Sequence, residues 1–302
     1  AAAFDHRPPG GHPDYRHMTH RTLISAAELK TLQAGPAPAV VLDCRFELAA
    51  ADSGERAYAE GHLPGAHYLH LARDLAGPPT DAQGRFRGRH PLPLRERFAA
   101  LAGALGITPQ AQVVAYDTHG GVFAARAWWM LRWLGHQAVA VLDGGLWAWT
   151  AAAGSLGVRV PVRSNKSPYP LGECSMPTIE ADALLQRLQH VKVVDARPPE
   201  RYRGEVEPLD KAAGHVPGAV NRFFQRNLQA DGRFKSAEQL RTEWSDLLAG
   251  HAAGLVVQQC GSGAAACHNI LAMEHAGFGS SLLYPGSWSE WAADPSRPIE
   301  KG

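Results

Sequence analysis

The feature that most constrains this chain is an internal repeat, in which short motifs of the first half return in the same order in the second half. The clearest pair is Gly-His-Leu-Pro-Gly-Ala, which returns as Gly-His-Val-Pro-Gly-Ala, and an apolar run ending in Asp-x-Arg also occurs twice. Four pairs of segments match: 40–45 with 193–197, 61–66 with 214–219, 113–117 with 255–260, and 145–149 with 286–291. Self-similarity of this kind indicates two copies of one structural unit.

Each copy alternates short apolar runs with segments of helical character. In the first copy, Ser25 and Glu28 have the spacing of a capping box, which predicts a helix that begins directly after Ser25. Residues 40–42, 113–116 and 139–142 read as buried strands, and residues 94–105 and 122–134 read as helices. Short apolar strands that alternate with helices predict an α/β fold in which each copy is a small parallel sheet flanked by helices.

The pattern also predicts a division of the chain. Residues 1–17 precede Met18, are rich in Pro, Gly and His, and are interpreted as an expression leader. Residues 18–150 form the predicted N-terminal domain, and residues 178–302 form the predicted C-terminal domain. Residues 151–177 contain many Pro and Gly residues, and they are interpreted as a linker or as a strap that crosses the other domain.

Charge and apolar content exclude several classes of protein. With 30 Lys and Arg against 29 Asp and Glu, the net charge of +1 gives no electrostatic case for binding nucleic acid or a membrane surface. The most apolar stretch, 123–142, contains Arg126, Arg132 and His136 and does not read as a membrane helix. The cysteines form no CxxC pair, which argues against a disulfide framework or a zinc site and favours a reducing, cytoplasmic setting. They are Cys44, Cys174, Cys260 and Cys267.

The most informative single segment is residues 255–267, where an apolar strand runs into Cys260, a Gly-Ser-Gly loop and an Ala-rich helix start. In such a loop consecutive backbone N–H groups can converge on an anion, and the helix N-terminus adds partial positive charge. Both effects favour a thiolate over a thiol. The residues alone leave two readings open, a nucleophile at Cys260 or a core cysteine beside a tight turn.

Taken together, these motifs resemble the two-domain rhodanese-type sulfurtransferases, from Thr22 to Trp291. The resemblance implies two tandem rhodanese-like domains, of which the C-terminal copy is catalytic and has Cys260 as its nucleophile. The N-terminal copy of that family lacks the cysteine, and here Asp117 stands in its place. The loop residues that would stabilise a Cys260 persulfide are Gly261, Ser262, Gly263, Ala264 and Ala265.

Within that family, Cys-Gly-Ser-Gly resembles the 3-mercaptopyruvate branch, whereas thiosulfate-preferring members carry cationic residues just after the cysteine. Mercaptopyruvate has one carboxylate and a carbonyl, and the hydroxyl of Ser262 can offer it a hydrogen bond. The chain departs from this branch at 264–265, where Val-Thr is usual, and at Leu209, where a second substrate-binding arginine is expected. A thiosulfate sulfurtransferase is the alternative, favoured by several arginines of the second copy: Arg203, Arg222 and Arg226.

The resemblance also implies two substrate-binding residues. Arg201 would hold the substrate anion, since a guanidinium suits a carboxylate, and the alternative is a surface arginine paired with Glu200 or Glu205. His90 matches a histidine of the first copy that works with the loop serine, and the alternative is a loop histidine satisfied by backbone. The carboxylate that would complete this arrangement is not evident, because Asp74 has the wrong spacing.

Residues that the two copies share, or that lie away from the loop, are expected to be structural. They are the ion pairs Asp43–Arg45 and Asp195–Arg197, the histidines His62 and His215, the tryptophans Trp288 and Trp291, and the cysteines Cys44, Cys174 and Cys267.

The sequence therefore predicts a sulfurtransferase that needs no cofactor or metal. Cys260 would take a sulfur from mercaptopyruvate, release pyruvate, and pass the sulfur to a thiol, a thioredoxin-like dithiol or cyanide. A cysteine phosphatase would need an arginine six residues after the nucleophile, and that position is Ala266. The remaining alternative is a persulfide carrier without catalytic activity of its own.

Overall fold

The structure, a computed structural model, describes residues 19–164 and 166–302. The predicted leader and Met18 lie outside the described residues. The chain forms two α/β units, each built on a sheet whose strands are all parallel and flanked by helices. The predicted fold class is confirmed.

The first unit has a five-stranded sheet in the order β1-β5-β4-β2-β3. Its strands are β1 (Leu23–Ile24), β2 (Val40–Asp43), β3 (His67–Tyr68), β4 (Val113–Tyr116) and β5 (Val139–Leu142). Its helices are α1 (Ala26–Ala34), α2 (Ser53–Glu60), α3 (Leu71–Asp74), α4 (Arg95–Ala104), α5 (Ala124–Trp133) and α6 (Gly145–Ala151).

The second unit has a four-stranded sheet in the order β7-β6-β8-β9, which repeats the arrangement β3-β2-β4-β5 of the first. Thr178 forms a parallel bridge with Leu283, at the edge where β1 pairs with β5 in the first unit. The strands are β6 (Lys192–Asp195), β7 (Val220–Asn221), β8 (Val256–Gln259) and β9 (Leu282–Leu283). The helices are α7 (Ala181–Arg187), α8 (Pro199–Tyr202), α9 (Ala237–Leu248), α10 (Ala264–His275) and α11 (Ser287–Trp291), with 3₁₀ turns at Phe224–Asn227 and Ala253–Leu255.

Local sequence accounts for most of these elements. The Ser25 hydroxyl accepts from the Glu28 N–H while the Glu28 carboxylate accepts from the Ser25 N–H, so the predicted capping box is present. All four residues of β4 are buried, as expected of a strand covered on both faces. Helix α5 begins two residues later than predicted, after a turn in which Gly120 and Gly121 take positive φ angles of 70° and 89°.

The two units pack against each other through buried apolar side chains. Helix α5 packs against α10, and their side chains belong to one buried cluster that includes Trp128, Trp129, Ile270 and Leu271. The cleft described below lies between loops of both units, so this packing fixes its two walls relative to each other.

The segment after α6 follows the surface of the first unit. The backbone N–H groups of Ser164, Tyr169 and Gly172 donate to carbonyls of residues 104, 99 and 134. Among residues 19–164 and 166–302, every helix is too short or too polar to span a bilayer.

Candidate active site

The loop after β8 is shaped by glycine. Gly263 has a φ of +81° and is the N-cap residue of α10, and a Cβ placed on it would lie 2.5 Å from the Pro285 carbonyl oxygen. A side chain is therefore excluded both by backbone conformation and by space. The tight turn brings the Gly263 amide back toward the sulfur of Cys260.

Cys260 lies at the carboxyl end of β8, where open parallel sheets carry their sites. Its Sγ accepts a hydrogen bond from the Gly263 N–H at 3.2 Å. Its own N–H donates to the Ser287 hydroxyl at 3.1 Å, and its carbonyl accepts from the Trp288 N–H at 2.9 Å. The residue is 3 % exposed but lines the cleft, so burial here does not remove Cys260 from the site.

The cleft above Cys260 has a volume of about 830 Å³ and takes walls from both copies. This volume lies within the range of small-molecule binding sites. Its apolar wall is made by Phe46, Leu71, Val122, Phe123, Phe223, Phe224 and Leu228, and its polar groups include Arg89, Arg201 and Ser262.

The matching loop of the first copy shows what this turn can bind. Asp117 follows β4 as Cys260 follows β8, and its carboxylate is fully buried. One oxygen accepts from the N–H groups of His119 and Gly121, both at 2.8 Å, and the other accepts from Phe123 at 2.8 Å and Ala124 at 3.0 Å. In the first copy this strand-to-helix turn is thus an anion cradle filled by its own side chain.

Ser262 and His90 meet across the two copies. The Oγ of Ser262 lies 2.9 Å from the Nδ1 of His90, although 172 positions separate them in the chain. Burial lowers the pKa of His90 to about 4, with further contributions from Arg126, Arg89 and His70. His90 is therefore neutral near pH 7.

Arg126 of α5 hydrogen-bonds to the backbone of the loops that carry His90 and Ser262. It is fully buried, and its guanidinium donates to the carbonyls of Leu75 at 3.2 Å, Gly263 at 3.3 Å and His90 at 3.1 Å. Asp74 does not reach His90, because its carboxylate accepts from the His70 N–H at the start of α3. Within the described residues, no carboxylate is hydrogen-bonded to the His90 ring.

Arg201 lies at the end of α8 and points into the cleft. Its Nη2 donates to Glu207 at 2.7 Å and to Asp210 at 3.2 Å, not to Glu200 or Glu205. The alternative prediction, that Arg201 pairs with Glu200 or Glu205, is therefore wrong.

The first copy also contributes a cation to the cleft, Arg89, to which the sequence analysis assigned no role. It is the residue directly before His90, and that adjacency is the signal that could have identified it. The three arginines that favoured thiosulfate in the sequence analysis do not line the cleft. Arg203 pairs with Glu205, Arg222 is buried against Glu243, and Arg226 is exposed.

The residues expected to be structural behave as predicted except Cys174, which is exposed in the segment after α6 and is not packed in a core. In each copy the arginine of Asp-x-Arg pairs with its aspartate at 2.7 Å, and the histidine of Gly-His-x-Pro-Gly stacks on a tyrosine at 3.9 Å between ring centroids. Trp288 and Trp291 are fully buried. In the part of the chain that the structure describes, no three His, Cys, Asp or Glu side chains are grouped as metal ligands would be.

Two parallel α/β units, with a buried carboxylate in one strand-to-helix loop and a cysteine in the other, define a tandem protein with one thiol-bearing site. The Rhodanese-like domain family matches residues 25–152 and 180–294. The chain belongs to this family.

Named relatives extend along nearly the whole chain. A "Probable 3-mercaptopyruvate sulfurtransferase" of Pseudomonas aeruginosa is 44% identical over 292 residues, which cover 94% of this chain and all of the relative. A "Putative thiosulfate sulfurtransferase SseB" of Mycobacterium tuberculosis is 40% identical and covers 93% of this chain and 98% of its own length. Among solved structures, SseA from Escherichia coli, in a study of 3-mercaptopyruvate sulfotransferases, matches with a TM-score of 0.74 and 26% identity over 89% of this chain and all of its own.

Proposed function

We propose that this protein is a 3-mercaptopyruvate sulfurtransferase in which Cys260 carries the transferred sulfur as a persulfide. The observation that supports this most directly is the position of Cys260 Sγ in a turn whose counterpart holds the Asp117 carboxylate by four N–H groups. The terminal sulfur of a persulfide is also an anion, and preorganised amides stabilise such charge. The named relative in Pseudomonas aeruginosa supports the choice of donor.

The first half-reaction needs only the thiolate and the donor. The Cys260 thiolate attacks the thiol sulfur of mercaptopyruvate, and a sulfur–sulfur bond forms as the carbon–sulfur bond breaks. The electron pair leaves with the carbon as the enolate of pyruvate, which takes up a proton. Pyruvate departs and Cys260 remains as a persulfide, with the amides of Gly261, Ser262, Gly263, Ala264 and Ala265 around the new sulfur.

Two further groups would act on the donor. The Arg201 guanidinium would bind its carboxylate within the cleft. The Ser262 hydroxyl, positioned by the neutral His90 ring at 2.9 Å, would donate a hydrogen bond to the oxygen on which enolate charge develops.

In the second half-reaction an acceptor removes the outer sulfur. A thiolate or cyanide attacks that sulfur, the sulfur–sulfur bond breaks, and the Cys260 thiolate is restored, which makes the cycle ping-pong. The acceptors proposed are a small thiol, a thioredoxin-like dithiol or cyanide. All four cysteines are free, which supports placing the enzyme in a reducing cytoplasm.

Thiosulfate is the second candidate donor, because two guanidiniums, those of Arg89 and Arg201, face the cleft and a relative carries that name. The carboxylates of Glu207 and Asp210 balance those two charges, and Asp195 balances the charge of Arg197, which also lines the cleft. A site without net positive charge favours the monoanion mercaptopyruvate over the dianion thiosulfate.

The test is the ratio of kcat/KM for mercaptopyruvate and thiosulfate. We expect the ratio to favour mercaptopyruvate, Cys260→Ser to abolish turnover, and Cys174→Ser, which changes an exposed thiol outside the cleft, to retain it. With donor alone, mass spectrometry should show one added sulfur atom on the wild type and none on Cys260→Ser. A ratio in favour of thiosulfate would overturn the donor, and a persulfide formed without turnover would indicate a carrier.

A further inference from the structure

The family resemblance predicts a second substrate-binding arginine at position 209, and this chain has no arginine there. Leu209 stands at that position, is 47 % exposed, and does not line the cavity. Arg89, from the loop that precedes α4 in the first copy, lines it instead. Arg197 of the second copy also lines the cleft, but its guanidinium is bound to Asp195 and to the Gly214 carbonyl. Arg89 and Arg201, one from each copy, are therefore the arginines considered for the substrate.

The backbone of Arg89 is held against the catalytic copy. Its N–H donates to the Ser289 hydroxyl at 3.0 Å. The preceding residue, Gly88, has a φ of +98°, and a Cβ there would lie 2.6 Å from the Gly286 carbonyl oxygen. This close approach places the backbone of Arg89 next to the loop in which Ser287 and Trp288 hydrogen-bond to Cys260.

Both guanidiniums converge on the peptide beside the nucleophile. A Cβ placed on Gly261 would lie 2.9 Å from Arg89 Nη2 and 3.4 Å from Arg201 Nη1. Both guanidiniums therefore present N–H donors at the part of the cleft where a ligand of Cys260 would lie.

Asp210 holds the two arginines as a pair. One of its carboxylate oxygens accepts from Arg89 and the other accepts from Arg201, while Glu207 accepts from Arg201 on its far side. The carboxylate side chains of Asp210 and Glu207 are each 4 % exposed. The arginines are thus positioned before any substrate arrives, and Asp210 is a positioning residue.

We propose that Arg89 and Arg201 together bind the carboxylate of the sulfur donor, so that the first copy supplies the arginine that Leu209 does not. This inference rests on the proposed function, because it assigns a second binding residue to the same donor. It also gives the N-terminal copy a direct part in substrate selection. A two-pronged grip on the carboxylate would fix the donor's thiol over Cys260.

The experiment compares mercaptopyruvate with mercaptoacetone, which has the same thiol and carbonyl but a methyl group in place of the carboxylate. For Arg89→Gln we expect kcat/KM for mercaptopyruvate to fall about 10- to 100-fold, the range for a lost charge-assisted hydrogen bond. We expect kcat/KM for mercaptoacetone to change less than twofold. Arg89→Lys should recover part of the loss, since it restores the charge but not the fork.

Arg87→Gln is the matched control, because Arg87 lies two positions away and pairs with Glu180 and Glu290 outside the cleft. Its selectivity should equal that of the wild type. Inhibition by pyruvate is a second measurement, and its inhibition constant should rise in Arg89→Gln by a factor similar to that for the donor.

The outcomes separate the two proposals. If Arg89→Gln lowered kcat/KM for both donors equally and left the pyruvate inhibition constant unchanged, Arg89 would only join the copies, and this inference would be wrong. A wild-type protein that does not turn over mercaptopyruvate would instead overturn the proposed function.

Discussion

Replacing the aspartate of Asp-x-Arg in either copy should destabilise the protein, and by different amounts. In the first copy, Asp43 is fully buried and binds Arg45 through both oxygens, at 2.7–3.0 Å. Arg45 has one further partner, the Gly61 carbonyl at 2.7 Å, and Asp43 also accepts from the Tyr116 hydroxyl. Asp43→Asn therefore leaves a buried guanidinium without a counter-ion.

The second copy contains the same pair with more support. Arg197 binds Asp195 at 2.7 Å and the Gly214 carbonyl at 2.7 Å, and it also reaches Glu207 at 3.4 Å. Its guanidinium lies over the ring of Trp288, 4.6 Å from the centroid. In Asp195→Asn a carboxylate and an aromatic face remain to compensate the charge.

We therefore expect Asp43→Asn to lower the free energy of unfolding by about 3–5 kcal/mol, the cost of removing one partner of a buried ion pair. Asp195→Asn should cost less, about 1–3 kcal/mol, because Glu207 remains. Equilibrium urea unfolding followed by tryptophan fluorescence measures both, provided that the slope of each transition matches that of the wild type.

The control is Glu205→Gln, which removes an exposed partner of Arg203 and should leave the urea midpoint almost unchanged. Equal costs for the two aspartate variants, or a larger cost in the second copy, would show that Glu207 and Trp288 do not compensate Arg197 and would refute the reasoning.

Two further predictions follow from burial and from backbone conformation. Burial lowers the pKa of both His90 and His268 to about 4, so only the unfolded chain takes up their protons as pH falls below 6.5. The free energy of unfolding should then drop by about 1.5 kcal/mol per histidine between pH 6.5 and 5, and His90→Gln should remove its own share of that drop. A urea midpoint that does not vary with pH would contradict this. Gly263→Ala should cost about 1–3 kcal/mol and sharply reduce persulfide formation, because its Cβ meets the Pro285 carbonyl. Gly250→Ala is the control, because Gly250 has a φ of +85° with open space around it and the variant should show only backbone strain. Equal losses of Tm and activity in the two variants would argue against a special role for the loop after Cys260.

The fold could be read from the sequence because its signals are local. The capping box at Ser25, the apolar runs of β2, β4 and β5, and the repeated turns depend on residues a few positions apart. The strand that ends at Cys260 and the glycines that follow it also specify the anion loop locally. Identification of Arg201 and His90, by contrast, depended on the family resemblance and not on any pattern within the chain.

The sequence by itself determined two α/β copies and a single cysteine at the end of a strand in the second. Only the tertiary structure decided which side chains surround that cysteine. Arg89 reaches Asp210 across 121 positions, and His90 reaches Ser262 across 172. Such meetings depend on how α5 packs against α10 and brings the loops of the two copies together. Hydrophobic periodicity indicates that a helix has a buried face, but it does not indicate which element packs against that face.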